Sequence, residues 1–214
     1  MTIGPNDAGQ RVDKFLQKNY QNLPVSMMYK AIRQKDIKLN GRRCQISDRL
    51  REGDVLTLYV RDEFLEKTPP VYDFLSASRR LDIVYEDANL LLLDKKAGLL
   101  VHPDAGEYGD TLIGRVQRYL YEKGEYDPER EQAFAPALVN RIDRNTSGIV
   151  IAAKNAEALR ILNDKLRNRE IHKYYLCIVH GLPEPREATL EGYLEKNEEQ
   201  NRVYILKKAK TGAR

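Results

Sequence analysis

The stretch Leu138 to Asn155, LVNRIDRNTSGIVIAAKN, constrains this chain more than any other. One carboxylate, Asp143, lies between two cations, Arg141 and Arg144. The polar turn Asn145-Thr146-Ser147-Gly148 follows, then the apolar run Ile149-Val150-Ile151-Ala152-Ala153. A short apolar run bounded by turn residues reads as a buried strand. An acid leading straight into a buried strand is a rigidly placed charge, which a nucleophile or general base requires. The flanking arginines favour its ionised form and offer bidentate partners for phosphate. Standing alone, an Asp before Asn-Thr-Ser-Gly is equally a turn former accepting backbone hydrogen bonds.

Elsewhere the pattern divides the chain in two. Near the N-terminus, Asp7 is positioned to cap a helix carrying Val12, Phe15 and Leu16 on one face. Leu23-Pro24-Val25 ends it, and Ser26 is placed to cap a second helix with Met28, Ala31 and Ile32. Ile37-Lys38-Leu39 alternates as a strand, Asn40-Gly41 is a type I′ hairpin signal, Arg42 to Ile46 returns, and Val55 to Val60 is a further strand. We expect a domain over residues 1–62, a linker over 63–77 in which Thr68-Pro69-Pro70 favours extended backbone, and a second domain over 78–214. In that domain Leu81–Tyr85 and Leu90–Lys95 read as strands. Lys96 to Pro103 reads as a turn and short strand, and Thr111 caps a helix reaching Tyr121. Tyr121 to Gln132 reads as a mobile polar loop. Asn155 caps a helix with Leu159, Leu162 and Leu166 on one face, and His172 to Gly181 reads as a strand. Strands outnumber helices and show hairpin turns, so the expected class is α+β with a mixed, largely antiparallel sheet.

Charge is uneven. Residues 1–60 carry 11 Lys/Arg against 6 Asp/Glu, and the rest carry 25 against 26. A basic module beside a near-neutral one suggests polyanion binding, against the plainer reading of solvated surface. The sequence lacks GxGxxG, a P-loop and a GxSxG elbow, and its three histidines lack metal-ligand spacing, so neither cofactor nor metal is expected. Two distant cysteines argue against a disulfide framework. With no apolar run near ~18 residues and no signal-peptide pattern, a soluble cytoplasmic protein is expected.

Two resemblances sharpen this reading. Residues 11–60, through KAIRQKDIKLNGRRC and LREGDVL, resemble the alpha-L RNA-binding domain. That resemblance implies that Lys30, Arg33, Lys35, Lys38, Arg42 and Arg43 lie along an RNA backbone, in contacts mostly to phosphate. The stretch RIDRNTSGIVIAAKN resembles the HRLDRxTSGxxxxAK motif of the RluA-type pseudouridine synthases. Lys95 to Pro103 is similar to that family's KPxGxxxH motif, and Lys173 to Gly181 to its KxYxAxVxG strand. The family likeness implies an isomerase converting uridine to pseudouridine, most simply in large-subunit ribosomal RNA, without cofactor or metal. Asp143 would be the catalytic aspartate, acting through a covalent or a glycal intermediate. Arg141 would pair with it and take the place of the extruded base, and Tyr175 would stack on the target uracil. Stacking recovers roughly 1–3 kcal/mol of the cost of flipping a base. His102 reads as structural, and Lys95 and Lys96 as scaffold or solvated charges.

The chain departs from the pattern at Asn140, where many members have histidine, and at Ile142, where many have leucine. It also lacks a TGRxHQIR-like motif, so we expect an incomplete catalytic domain. The competing reading is an RNA-binding protein without activity, or a truncated fragment. The residues leave the oligomeric state open.

Overall fold

The computed structural model describes the chain apart from residues 67–71, 105–108, 132, 198–201, 207 and 209–214. The chain forms two compact units, Met1–Ile171 and His172–Arg214.

The first unit begins with two helices, α1 (Val12–Asn19) and α2 (Val25–Gln34), and three short strands, β1 (Ile37–Leu39), β2 (Arg42–Arg43) and β3 (Leu56–Leu58). The strands form an antiparallel sheet in the order β2-β1-β3. Val12, Phe15 and Leu16 are fully buried, as their helical spacing requires, and pack with Met28, Ile32 and Ile37 in one apolar core. Asn40 and Gly41 both have positive φ, the geometry a type I′ turn demands. The Asn40 amide also ties the hairpin to the next strand, donating to Asp54 Oδ1 (2.8 Å) and accepting from Val55 N (2.7 Å).

The expected helix caps differ. Position N-cap is Arg11 for α1 and Pro24 for α2, neither with a capping side chain. Asp7 is buried in the preceding turn, where its Oδ1 accepts from Gln10 Nε2 at 3.2 Å. Ser26 falls inside the first turn of α2, because Pro24, with its fixed φ, already supplies the helix entry.

The body of the unit contains β4 (Ile83–Glu86), β5 (Leu90–Lys95), α3 (Leu112–Glu122), β6 (Ala137–Leu138), β7 (Gly148–Ala153) and α4 (Ala156–Arg167). Its sheet runs β4-β5-β7-β6, every pair antiparallel, so the α+β antiparallel expectation is met. Leu112, Val116 and Leu120 of α3 are buried against Leu91 and Leu93 of β5 and Val150 and Ala152 of β7. Thr111 and Asn155 cap α3 and α4 by accepting from Gly114 N and Ala158 N. Phe74, within the expected linker, is buried in this core beside Tyr121 and Tyr126. Thr68-Pro69-Pro70 lies outside the described residues.

Residues 121–131 are tied to the body more closely than a mobile polar loop would be, and Gln132 lies outside the described residues. Tyr126 is buried, and Lys154, its side chain 7% exposed, forms ion pairs with Glu125 and with Glu86 (2.9 Å). Lys123 bonds the same two carboxylates at 2.7 and 2.8 Å. Lys123 and Glu125 are network members, while Glu129 and Arg130 stay exposed. The N-terminal domain touches the body through Asn6, which donates to Glu131 (3.0 Å) and accepts from Ala156 N (3.1 Å).

In the second unit β8 (Tyr193–Asn197) and β9 (Arg202–Leu206) form an antiparallel hairpin that the sequence pattern does not announce. The strand expected over 172–181 is not formed. A strand exists through its ladder, and this segment pairs with none of the described residues, leaving Tyr174, Leu176 and Ile178 exposed. Among the described residues no helix is long and apolar enough to cross a membrane.

Candidate active site

Neighbouring strands β5 and β7 pair in register, with Lys95 opposite Gly148 and Asp94 opposite Ile149. Their loops therefore leave the sheet side by side. The 96–102 loop follows β5, and the 140–147 segment precedes β7. Gly98 N donates to Arg144 O (2.8 Å), and Arg144 Nε donates back to Gly98 O (3.1 Å). Gly98 adopts φ 90°, which lets its backbone face the partner loop without a Cβ penalty.

Lys95 locks this contact. It lies on the inward face of β5 with Leu91 and Leu93, and is 1% exposed. Its Nζ donates to three main-chain carbonyls: Leu99 (2.8 Å), Arg144 (2.9 Å) and Lys96 (3.0 Å). A buried ammonium is tolerated only when its donors are used, and here all three are. Burial pushes the Lys95 ammonium below the usual lysine range, and the nearby Asp143 carboxylate opposes that shift. Lys95 is therefore scaffold, one of its two expected roles. Lys96 is the exposed partner of Asp94 (2.5 Å). The signal for Lys95 is legible in the sequence, since a lysine at the third inward position of an alternating strand must find acceptors. Beside the clasp a cleft of 340 Å³ is lined by Lys95, Lys96, Gly98, Asp110 and Arg115 among others. Two of its cations are already paired, Lys96 with Asp94 and Arg115 with Asp110.

Between β6 and the clasp the chain shows alternating exposure. Ile142 packs inward against the body core, while Arg141 and Asp143 are exposed on either side of it. Period-2 alternation places these two side chains on the same outward face. The Asp143 carbonyl accepts from Thr146 N at 3.1 Å, closing the turn into β7. The expected ion pair between Arg141 and Asp143 is not formed. Among the described residues no cation closes on this carboxylate within ion-pair distance. Two exposed, outward-pointing side chains gain little from pairing in water. Arg141 instead stands near His102, whose imidazole is pushed below the usual range by partial desolvation and by that charge. His102 and Lys95 thus place the first motif next to Arg141 and Asp143.

The other expected residues lie apart. Tyr175 belongs to the second unit and is exposed. Lys30 and Arg33 are on α2, Lys35 caps its C-terminal end, Lys38 is on β1, and Arg42 and Arg43 form β2. Five of the six are exposed, and Lys38 is half-buried with its ammonium 5.0 Å from the Tyr59 ring centre. None of the six is held in an ion pair among the described residues. Lys38 sits directly opposite Arg43 across the ladder. Like charges in that position are destabilising, and a polyanion would relieve them. Among the described residues no three His, Cys, Asp or Glu side chains are spaced to hold a metal ion.

Comparison with known proteins matches both parts of the chain to known families. Residues 89–214 match the RNA pseudouridylate synthase family, and residues 10–56 match the S4 domain. An uncharacterized RNA pseudouridine synthase of Mycoplasma capricolum is 36% identical, over 82% of this chain and 57% of its own length. A ribosomal large subunit pseudouridine synthase C of Vibrio cholerae is 35% identical, over 95% of this chain and 62% of its own. The Haemophilus ducreyi protein of that name is 32% identical, over 99% of this chain and 63% of its own. The chain thus spans about three fifths of the length of the curated relatives it matches.

Proposed function

Because the chain belongs to the RNA pseudouridylate synthase family, we propose that it isomerises uridine to pseudouridine in RNA with Asp143 as the catalytic residue. The observation carrying this reading is the exposed Asp143 on a loop fixed at its far end by Lys95 and Gly98. A carboxylate that serves as a nucleophile must be reachable and must not wander, and this one meets both demands.

In the reaction the N1–C1′ glycosidic bond breaks, the detached uracil turns, and C5 bonds to C1′. The C5 proton is lost to solvent and N1 gains one, so the isomerisation needs no oxidant, reductant or second substrate. Asp143 acts at the ribose, through a covalent or a glycal species. Arg141, on the same outward face, fills the space the flipped base leaves. Tyr175 stacks on the flipped uracil. The basic face of the S4 domain, from Lys30 to Arg43, holds the RNA backbone. Large-subunit ribosomal RNA is the proposed substrate, in keeping with that domain and with what two of the relatives are named for. The cytoplasm is the proposed compartment.

The test is tritium release from RNA carrying uridine labelled at C5, with this chain and its Asp143→Ala variant on large-subunit rRNA lacking the modification. We expect release by the chain and none by Asp143→Ala, with RNA affinity unchanged within twofold. Equal release by both proteins would exclude Asp143. RNA binding without release by either would favour a binding protein, a reading in keeping with the unpaired 172–181 segment.

A further inference from the structure

Strand β6 is only two residues long, yet the chain stays attached to β7 beyond it. Ala137 and Leu138 pair with Ala153 and Ala152, and Val139 N donates to Ile151 O at 2.8 Å. There the main-chain ladder stops. At the next residue a side chain continues it. Asn140 Nδ2 donates to Ile149 O (3.2 Å), and Asn140 Oδ1 accepts from Ile151 N (2.8 Å). One carboxamide therefore satisfies a donor and an acceptor on the open edge of β7, as a further strand residue would.

The consequence falls on three residues. The segment Arg141 to Asp143 is suspended between two anchors. One is the Asn140 amide on β7. The other is Arg144 O, held by Lys95 Nζ (2.9 Å) and Gly98 N (2.8 Å). Ile142, partly buried, packs against the body core between them. With both ends held and the middle packed inward, Arg141 and Asp143 are directed outward. Releasing either anchor frees a backbone of three residues, and a displacement near 1 Å is enough to cost about 100-fold in rate.

We propose that Asn140 is a positioning residue, whose bidentate amide on β7 sets where Asp143 stands. The inference rests on the reading of Asp143 given above. The choice of side chain matters chemically. An amide supplies one donor and one acceptor at every pH. A neutral imidazole supplies the same pair, but a protonated one has two donors and cannot accept from Ile151 N. The charged groups around position 140 are Arg141 and Asp143 on its own loop and Asp94, opposite Ile149 on β5. His102, facing Arg141, titrates in both the parent and a position-140 variant and cancels in their ratio.

The experiment compares the chain with Asn140→Ala and Asn140→His in single-turnover tritium release, from pH 5.5 to 8, with amide exchange at Ile151 followed in parallel. For Asn140→Ala we expect the saturating single-turnover rate constant, and kcat with it, to fall 10- to 100-fold, with the half-saturating RNA concentration within twofold because the S4 face is untouched. For Asn140→His we expect partial recovery at pH 8 and a further loss below the histidine range, about pH 6.5, absent from the parent. A fold defect unrelated to Asp143 would lower folded protein and RNA binding together and would not give that profile. The inference is overturned if Asn140→Ala keeps the parental rate constant, or if the Asn140→His and parent profiles superimpose. It is also overturned if the Ile151 amide exchanges equally fast in the parent and Asn140→Ala. Release by neither parent nor variant would instead remove the reading of the site, and the Ile151 exchange would still decide whether Asn140 is an anchor.

Discussion

On the S4 domain six cations, Lys30 to Arg43, stand at or near the surface, and among the described residues no carboxylate closes on them. In the body, the side chains of Lys95 and Lys154 are buried among acceptors. The N-terminal core is apolar and takes no help from these cations. The body uses its lysines internally, Lys95 joining two loops and Lys154 joining β7 to the 121–132 segment through Glu86 and Glu125. The same residue type therefore has two roles separable by measurement. An unpaired surface cation should matter for a polyanion and little for stability. A buried, saturated one should matter for stability and reach activity only through shape.

Lys95 is where this contrast can be broken most decisively. Lys95→Met fills a similar volume but takes the ammonium donor from three part-buried carbonyls, of which Arg144 O keeps only Gly98 N. At about 1.5 kcal/mol or more for each charge-assisted bond, we expect roughly 3–5 kcal/mol lost in urea unfolding. Tritium release should fall with it, because Arg144 O loses one of its two holders next to Asp143. A loss under 1 kcal/mol would mean the clasp rests on Gly98 and Arg144 alone, and the contrast with the S4 cations would fail.

Much of the scaffold is legible in the amino-acid order alone. Alternation in Leu90–Lys95, the Asn40-Gly41 pair, and the caps at Thr111 and Asn155 each translate a local rule into the observed element. What escapes is settled either by competition between neighbouring residues or by partners distant in sequence. Asp7 and Ser26 are good caps by type, but the turn before α1 and the entry supplied by Pro24 take precedence. Residues 121–132 look solvated until Lys154 and Glu86 are brought against them. Residues 172–181 carry a strand-like alternation, but alternation does not supply a ladder. In the site, the motif places Asp143 in sequence, while its anchors, Lys95 and the Asn140 amide, are geometric facts. An exposed Asp143 on which, among the described residues, no arginine closes is likewise a result of side-chain direction that spacing could not give.

The second network gives a sharper, pH-resolved version of the contrast. Desolvation pushes the Glu86 carboxyl up, but hydrogen bonds from Lys123, Lys154 and Tyr119 outweigh it and hold the pKa at about 2. Because the folded value lies below the unfolded one, near 4.3, the stabilisation is fully present above that unfolded value. It is lost as pH falls through the window down to about 2. Glu86→Gln should therefore be less stable than the parent by about 1–2 kcal/mol at pH 6, allowing for partial solvent screening. The difference should shrink towards zero near pH 2. A difference that stays constant with pH would mean that Glu86 acts by packing rather than by charge.

The smallest effect on stability, and the clearest sign of a different role, is expected at Arg43. Arg43→Gln removes one of two like charges facing each other across the β1–β2 ladder. Stability should rise by a few tenths of a kcal/mol, the reverse of the Lys95 result. RNA affinity should fall severalfold, and the slope of log affinity against log salt should flatten by about 0.7–0.9, the share of a single neutralised phosphate. Because a cation on a phosphate reads no base, affinity should fall equally for unrelated RNAs of equal length. Unchanged affinity with an unchanged slope would remove Arg43 from the RNA face. An affinity decrease confined to one RNA would make it a base-reading residue, and the S4 face could then no longer be treated as a simple phosphate track.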